Sequence, residues 1–181
     1  PETATLSLIV EEAKRYNLPV MTHAVSVADT LAAVAAGVQT LVHTPHIGQL
    51  TDEQVQTIVQ SRIPMMSTLG VFVPYFDANN RPLFRDNEPF PWLTLPSGGQ
   101  GPVNARLLWE AGIVYGFGTD TRRLPRESLA VELRPLALMF SPKDIVSILT
   151  RNAAATVHRS GELGTLEAGK FADIVIVDGD P

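Results

Sequence analysis

Two rhythms of apolar positions alternate along this chain. Short runs of neighbouring apolar residues are separated by longer stretches in which apolar residues return every three or four positions, the spacing of one helical face. The short runs read as strands: Leu18 to Ala24 (LPVMTHA, a buried strand), Thr40 to Thr44, Ile63 to Leu69 (IPMMSTL), Ile113 to Asp120 (IVYGFGTD) and Phe171 to Asp178 (FADIVIVD). Between them lie the helical stretches. The first runs from Pro1 to Tyr16, with Leu6, Ile9, Val10 and Ala13 on one face and Asn17 as a left-handed stop. Ser26 and Asp29 form a capping box for a helix whose stripe is Val27, Leu31, Val34 and Ala35 and whose end is Gly37. Thr51 and Gln54 open the next in the same way, with Val55, Ile58 and Val59 facing inward. A helix over Pro102 to Ala111 closes at Gly112, another spans Leu129 to Met139, and Ser141, Pro142 and Asp144 cap one that buries Ile145, Ile148 and Leu149. Gly161 to Lys170 makes turns. Strands alternating with amphipathic helices predict an α/β class built from parallel βα units.

The rhythm breaks between Gly70 and Gly101. Pro74, Pro82, Pro89, Pro91 and Pro96 fall there, with Phe72, Tyr75, Phe76, Phe84, Phe90 and Trp92. A long irregular segment inside a compact domain reads either as a lid or binding loop, or as an ordered surface loop or subunit contact.

Composition narrows the class. The chain has 181 residues, 45% of them hydrophobic, enough for one sizeable core. A net charge of -5 with only 18% charged residues offers no basic face for a nucleic acid. No apolar run approaches the roughly 20 residues that span a bilayer, and nothing near the start resembles a signal peptide, so a non-membrane, cytoplasmic protein is the expectation. There is no Cys, so a metal would be held by His and carboxylates. The start at Pro1, inside what reads as a helical first turn, looks like a cut within a larger protein.

His23 and His43 each end a predicted strand, with a helix and loop between them. Parallel strands joined by right-handed crossovers bring such ends to one rim, about 4.8 Å apart between neighbours. Asp120 ends the fourth strand in the same way. Either histidine alone reads as a hydrogen-bonding residue of a polar rim. The two with Asp120 converge as candidate ligands of one divalent ion. His46, after Pro45, is a loop residue that competes with His43 as ligand. Tyr75, Arg122 and Arg123 fall on loops at the same face, where they would orient a substrate carboxylate or remain solvated. His158 is expected to be exposed.

Beyond spacing, several segments carry a resemblance. THA and VHT at successive strand ends, GTD after AGIVYGF, then LTRNAAATV and GELGTLEAGKFADIVIVDGDP, resemble the amidohydrolase superfamily, especially its imidazolonepropionase-like and Xaa-Pro dipeptidase-like branch. Leu163, Gly164, Thr165, Leu166, Gly169, Lys170, Ala172 and Asp173 match its C-terminal signature most specifically. The resemblance implies the C-terminal half of a (β/α)8 TIM barrel, strands 5 to 8, over residues 1–158, and over 159–181 the returning strand of a small β-sandwich. It implies His23 and His43 as ligands of Zn2+ (one or two divalent ions), with Asp120 as ligand and proton carrier. Tyr75, Arg122 and His46 become substrate-binding candidates. The implied activity is hydrolysis of an amide, peptide or cyclic C–N bond in a small-molecule or dipeptide-like substrate. The family's His-x-His pair on strand one and its strand-four residue are absent from this sequence. A missing N-terminal half, or a second copy of the chain, is therefore an expected partner, and the fragment alone is expected to be inactive. The rival expectations are a non-catalytic barrel fragment serving assembly or binding and a phosphate-binding barrel; no glycine-rich phosphate cradle follows the third or fourth strand.

Overall fold

A computed structural model describes residues 2–73, 100–122 and 124–179. Four parallel strands, β1 (Met21–His23), β2 (Thr40–Val42), β3 (Met65–Met66) and β4 (Tyr115–Gly116), lie side by side in chain order. The α/β expectation holds. The regular strands are shorter than the apolar runs, but backbone pairing continues past them toward their C-terminal ends. Ala24 N–H donates to the Val42 carbonyl at 3.1 Å, Thr44 to Ser67 at 3.2 Å, and Ser67 to Gly116 at 2.8 Å. All four strand ends consequently share one rim.

The helices are α1 (Glu2–Arg15), α2 (Val27–Ala36), α3 (Asp52–Gln60), α4 (Leu69–Phe72), α5 (Gln100–Glu110), α6 (Pro125–Met139), α7 (Pro142–Ser147) and α8 (Ala153–Thr156). The capping boxes expected at Ser26/Asp29, Thr51/Gln54 and Ser141/Asp144 are all formed, each side chain accepting an otherwise unpartnered N–H of the first turn. Gly37, at φ 76°, ends α2 in the left-handed conformation its sequence position requires.

Leu41, Met65 and Tyr115 are level with one another in the ladder and are each 0% exposed. They form the centre of a core completed by Ala33, Val55, Ile58, Leu108, Leu136 and Ile148 from the helices and by Val38 from the link between α2 and β2. On the opposite sheet face a Cβ on Gly116 would lie 2.6 Å from the Thr156 methyl and 2.8 Å from the Asn152 carbonyl. Glycine there lets the chain cross β4.

Several expectations need correction. LPVMTHA is not a buried strand: Met21 is 41% exposed and His23 is exposed, because β1 is an edge strand with one neighbour. Among the described side chains of α1 only Val10 is buried, Leu6 is partly buried against the core, and Ile9 is exposed. In α2, Val27, Leu31 and Val34 pack against the core as expected, beside the buried Thr30, Ala33 and Ala36, but Ala35 is exposed: Ala36 lies three residues beyond Ala33 on the buried arc, and Ala35 turns away. α6 starts four positions early, at Pro125, a residue suited to a helix's first turn. The last capped stretch passes through a π-helical turn, Ile148–Asn152, held by the Phe117 N–H on the Ile148 carbonyl and the Asn152 amide on the Tyr115 carbonyl. The segment 171–178 forms no strand among the described residues. Among the described residues no strand lies beside it to exchange hydrogen bonds, and Val175 and Ile176 are 86% and 92% exposed. Among the described residues no helix is long and apolar enough to cross a membrane.

Candidate active site

At the shared rim, three successive strand ends hold a non-glycine residue at positive φ: His43 after β2 (78°), Thr68 after β3 (53°) and Asp120 after β4 (45°). Such conformations are strained for residues with a Cβ, most of all for β-branched Thr, and persist where surrounding contacts impose them. Here they turn all three toward one point.

His43 is the centre of that point. It is 1% exposed, and its Nε2 faces His23 Nδ1 at 2.5 Å while its Nδ1 meets Thr68 Oγ1 at 2.6 Å. The two imidazoles stand edge to face at 81°. Asp120 Oδ2 lies 3.9 Å from the same Nε2, with its carboxylate largely in solvent. Burial, reinforced by the neighbouring His23, pushes the His43 pKa down to about 4 against the opposing pull of Asp120. His43 is thus neutral at pH 7, and its approach to Asp120 is no ion pair. A neutral imidazole has a lone pair available to a cation.

His46 is a buried loop residue, stacked on Phe72 at 3.8 Å, with Nδ1 enclosed and lacking a hydrogen-bond partner; burial lowers its pKa. Phe72 also meets His43 edge-on at 5.3 Å, so α4 walls the site. Arg122 is exposed two residues beyond Asp120. Tyr75 and Arg123 lie outside the described residues. His158 is exposed as expected, and its Nε2 is 3.0 Å from Thr40 Oγ1.

Two imidazoles and a nearby carboxylate are the donor types a divalent ion such as zinc accepts. They suit part of a metal site. Among the described residues, however, no group of three or more His, Cys, Asp or Glu side chains forms one able to hold an ion.

Sequence reasoning missed Thr68 and Glu132. Thr68 falls inside the strand expected over Ile63 to Leu69. Glu132, on α6, is 0% exposed and accepts from the Leu69 N–H at 2.8 Å and the Gly70 N–H at 2.7 Å, next to Thr68. Burial pushes its pKa up to about 7, against the lowering effect of hydrogen bonds from Ser67, Gly70 and Leu69. The available signal was its spacing, one turn from each of Ser128 and Leu136 on the buried face of α6.

A family model described as the Amidohydrolase family matches residues 2–181. The chain belongs to the amidohydrolase family. It is 28% identical over 174 residues to imidazolonepropionase from Thermoanaerobacter pseudethanolicus, covering 94% of this chain and 36% of that protein. It is 26% identical to Aspergillus niger ochratoxinase over 97% of this chain and 36% of that protein, whose crystal structure superposes with a TM-score of 0.68 over 94% of this chain and 38% of its own. A solved Xaa-Pro dipeptidase with bound methionine shares the fold at TM-score 0.76 and 22% identity, over 99% of this chain and 43% of its own. The amidohydrolase chain described here thus spans well under half the length of the proteins it resembles.

Proposed function

We propose that this chain supplies the C-terminal half of a (β/α)8 barrel in a metal-dependent amidohydrolase, with β1 to β4 as barrel strands five to eight over residues 1–158. Residues 159–181 then return to a small β-sandwich, whose other strands would give 171–178 its missing neighbours. The observation that carries the reading is the meeting of His23 Nδ1 and His43 Nε2 at 2.5 Å on the strand-end rim, with Asp120 3.9 Å away. Coverage of 36% to 43% of related chains supports a complement from elsewhere, either an N-terminal half or a second copy.

His23 and His43 would hold the ion, together with ligands from that complement, because a catalytic zinc normally takes three protein ligands. When bound, a divalent ion acidifies water and polarises a carbonyl. Asp120, exposed enough to meet water, accepts the water proton at Oδ2 and returns it to the leaving nitrogen. His43 stays neutral, with Nδ1 held by Thr68. His46, Arg122 and Tyr75, the last outside the described residues, are the candidates for contact with substrate, Arg122 being suited to a carboxylate. The substrate class is a small amide, dipeptide-like or cyclic C–N compound.

The test is hydrolysis by the intact enzyme of a panel of dipeptides, N-acyl amino acids and lactams, before and after chelation. Turnover that chelation abolishes and zinc restores is expected. Turnover that persists in metal-stripped enzyme contradicts the proposal.

A further inference from the structure

His43 projects one nitrogen toward His23, and what orients the ring lies on its other side. Thr68 Oγ1 sits 2.6 Å from His43 Nδ1, on a β-branched residue at φ 53°, a conformation it would not adopt unaided. The two residues that follow Thr68 are tied to one buried carboxylate. Glu132 Oε1 takes the Leu69 N–H at 2.8 Å and Oε2 takes the Gly70 N–H at 2.7 Å. Ser67 Oγ accepts from the Gly118 N–H at 3.2 Å, linking this turn to the strand that leads to Asp120. The fit is close. A Cβ on Gly70 would come within 2.8 Å of the Val131 carbonyl and 3.0 Å of Glu132 Oε2. Glu132 touches neither histidine, and no part of the proposed hydrolysis uses it.

We propose that Glu132 is a positioning residue: by clamping the Leu69 and Gly70 amides from α6 it holds the Thr68 hydroxyl against His43 Nδ1 and so commits His43 Nε2 to the rim. The inference rests on the reading of His43 as a site residue. An ionised carboxylate suits the task because it is acceptor-only, with two oxygens for two adjacent backbone N–H groups, so the ring signals are read above pH 7, where Glu132 is in that form. The isosteric amide has one acceptor oxygen and points its NH2 at the other donor. Glu132→Gln therefore loosens the turn with little change in volume. Thr68→Val removes the last link in the same chain of contacts, and Thr68→Ser keeps it.

The experiment is 15N NMR of the His43 ring in the intact, metal-free enzyme, with the signals assigned by their loss in His43→Asn and folding checked by near-UV circular dichroism. Wild type and Thr68→Ser are expected to show one hydrogen-bonded tautomer. Glu132→Gln and Thr68→Val are expected to move both ring shifts toward the average of the two tautomers. Should Glu132→Gln not fold, Glu132→Asp, whose shorter reach cannot hold both amides, is read in the same way. Wild-type ring shifts in a folded Glu132 variant overturn the proposal, as does a wild type already averaged between tautomers. A zinc titration on the same samples separates the two readings: absence of zinc binding by wild type argues against the metal site and leaves the tautomer result to decide the role of Glu132. If zinc does bind, loosening the support of a ligand is expected to weaken it about 10- to 100-fold.

Discussion

β2 and β1 are written in the same alphabet of apolar residues ending in histidine, yet they finish in opposite environments. Leu41 of β2 is 0% exposed and His43 is 1% exposed, whereas Met21 of β1 is 41% exposed and His23 is exposed. The difference is one of neighbours. β2 lies between two strands, and β1 has a strand on one side only. The exposed Leu8 and Ile9 of α1 and the run from Ile174 to Val177 resemble β1 in this respect. An apolar pattern declares that a surface seeks cover; whether it is covered depends on what stands beside it. Unpaired strand edges and bare apolar strands invite association, so the 181-residue chain alone should self-associate and lack hydrolytic activity. Sedimentation with a hydrolysis assay checks this, and an active, compact monomer would count against the half-barrel proposal.

The comparison between rim, core and uncovered margin can be sharpened by substitution. The largest effect is expected at the rim. Asp120→Asn in the intact enzyme should lower turnover about 100- to 10,000-fold, the range for loss of a general acid or base, while metal content is largely kept. Near-normal turnover would remove Asp120 from the mechanism. In the covered core, Leu41→Ala should cost about 2 to 5 kcal/mol of unfolding free energy, measured by denaturant titration of the intact enzyme.

Glu132 gives a pH-dependent effect of smaller size. Its folded pKa, about 7, lies above the ordinary 4.5, so the folded state keeps this proton after the unfolded chain has lost it. Stability from this group is therefore greatest below pH 4.5, declines as pH rises toward 7, and is flat beyond. The full span is on the order of 3 kcal/mol. Unfolding titrations across that window should show the decline, and Glu132→Gln should abolish the decline attributable to this group. The smallest effect is expected at the margin: Ile176→Ser in the 181-residue chain should change stability by less than about 0.5 kcal/mol. A larger loss for the same substitution in the intact enzyme would show that this segment is covered there.

What the amino-acid pattern disclosed follows from how local the cause is. Three capping boxes and the Gly37 stop were legible because each is written within a few residues. His23 and His43 were legible because a titratable ring at the end of an apolar run has few other places to go, and parallel pairing then brings strand ends together. Asp120 reached the rim, although 3.9 Å separates it from His43 Nε2. The left-handed turn at Thr68 was not legible, since its cause is Glu132, distant in sequence and supplied by another helix. The π-helical turn depends on hydrogen bonds to β4, and the failure of 171–178 to pair reflects the lack of a neighbouring strand among the described residues. Non-local causes leave little trace in periodicity.

The central claim is that the rim histidines bind a catalytic metal, and metal content tests it most directly. Zinc per chain should be measured by mass spectrometry in the intact wild-type enzyme and in its His23→Ala and His43→Ala variants, purified identically and shown to be folded. The account predicts stoichiometric metal in wild type and its loss, together with hydrolysis, in both variants. Unchanged metal content in both would contradict it.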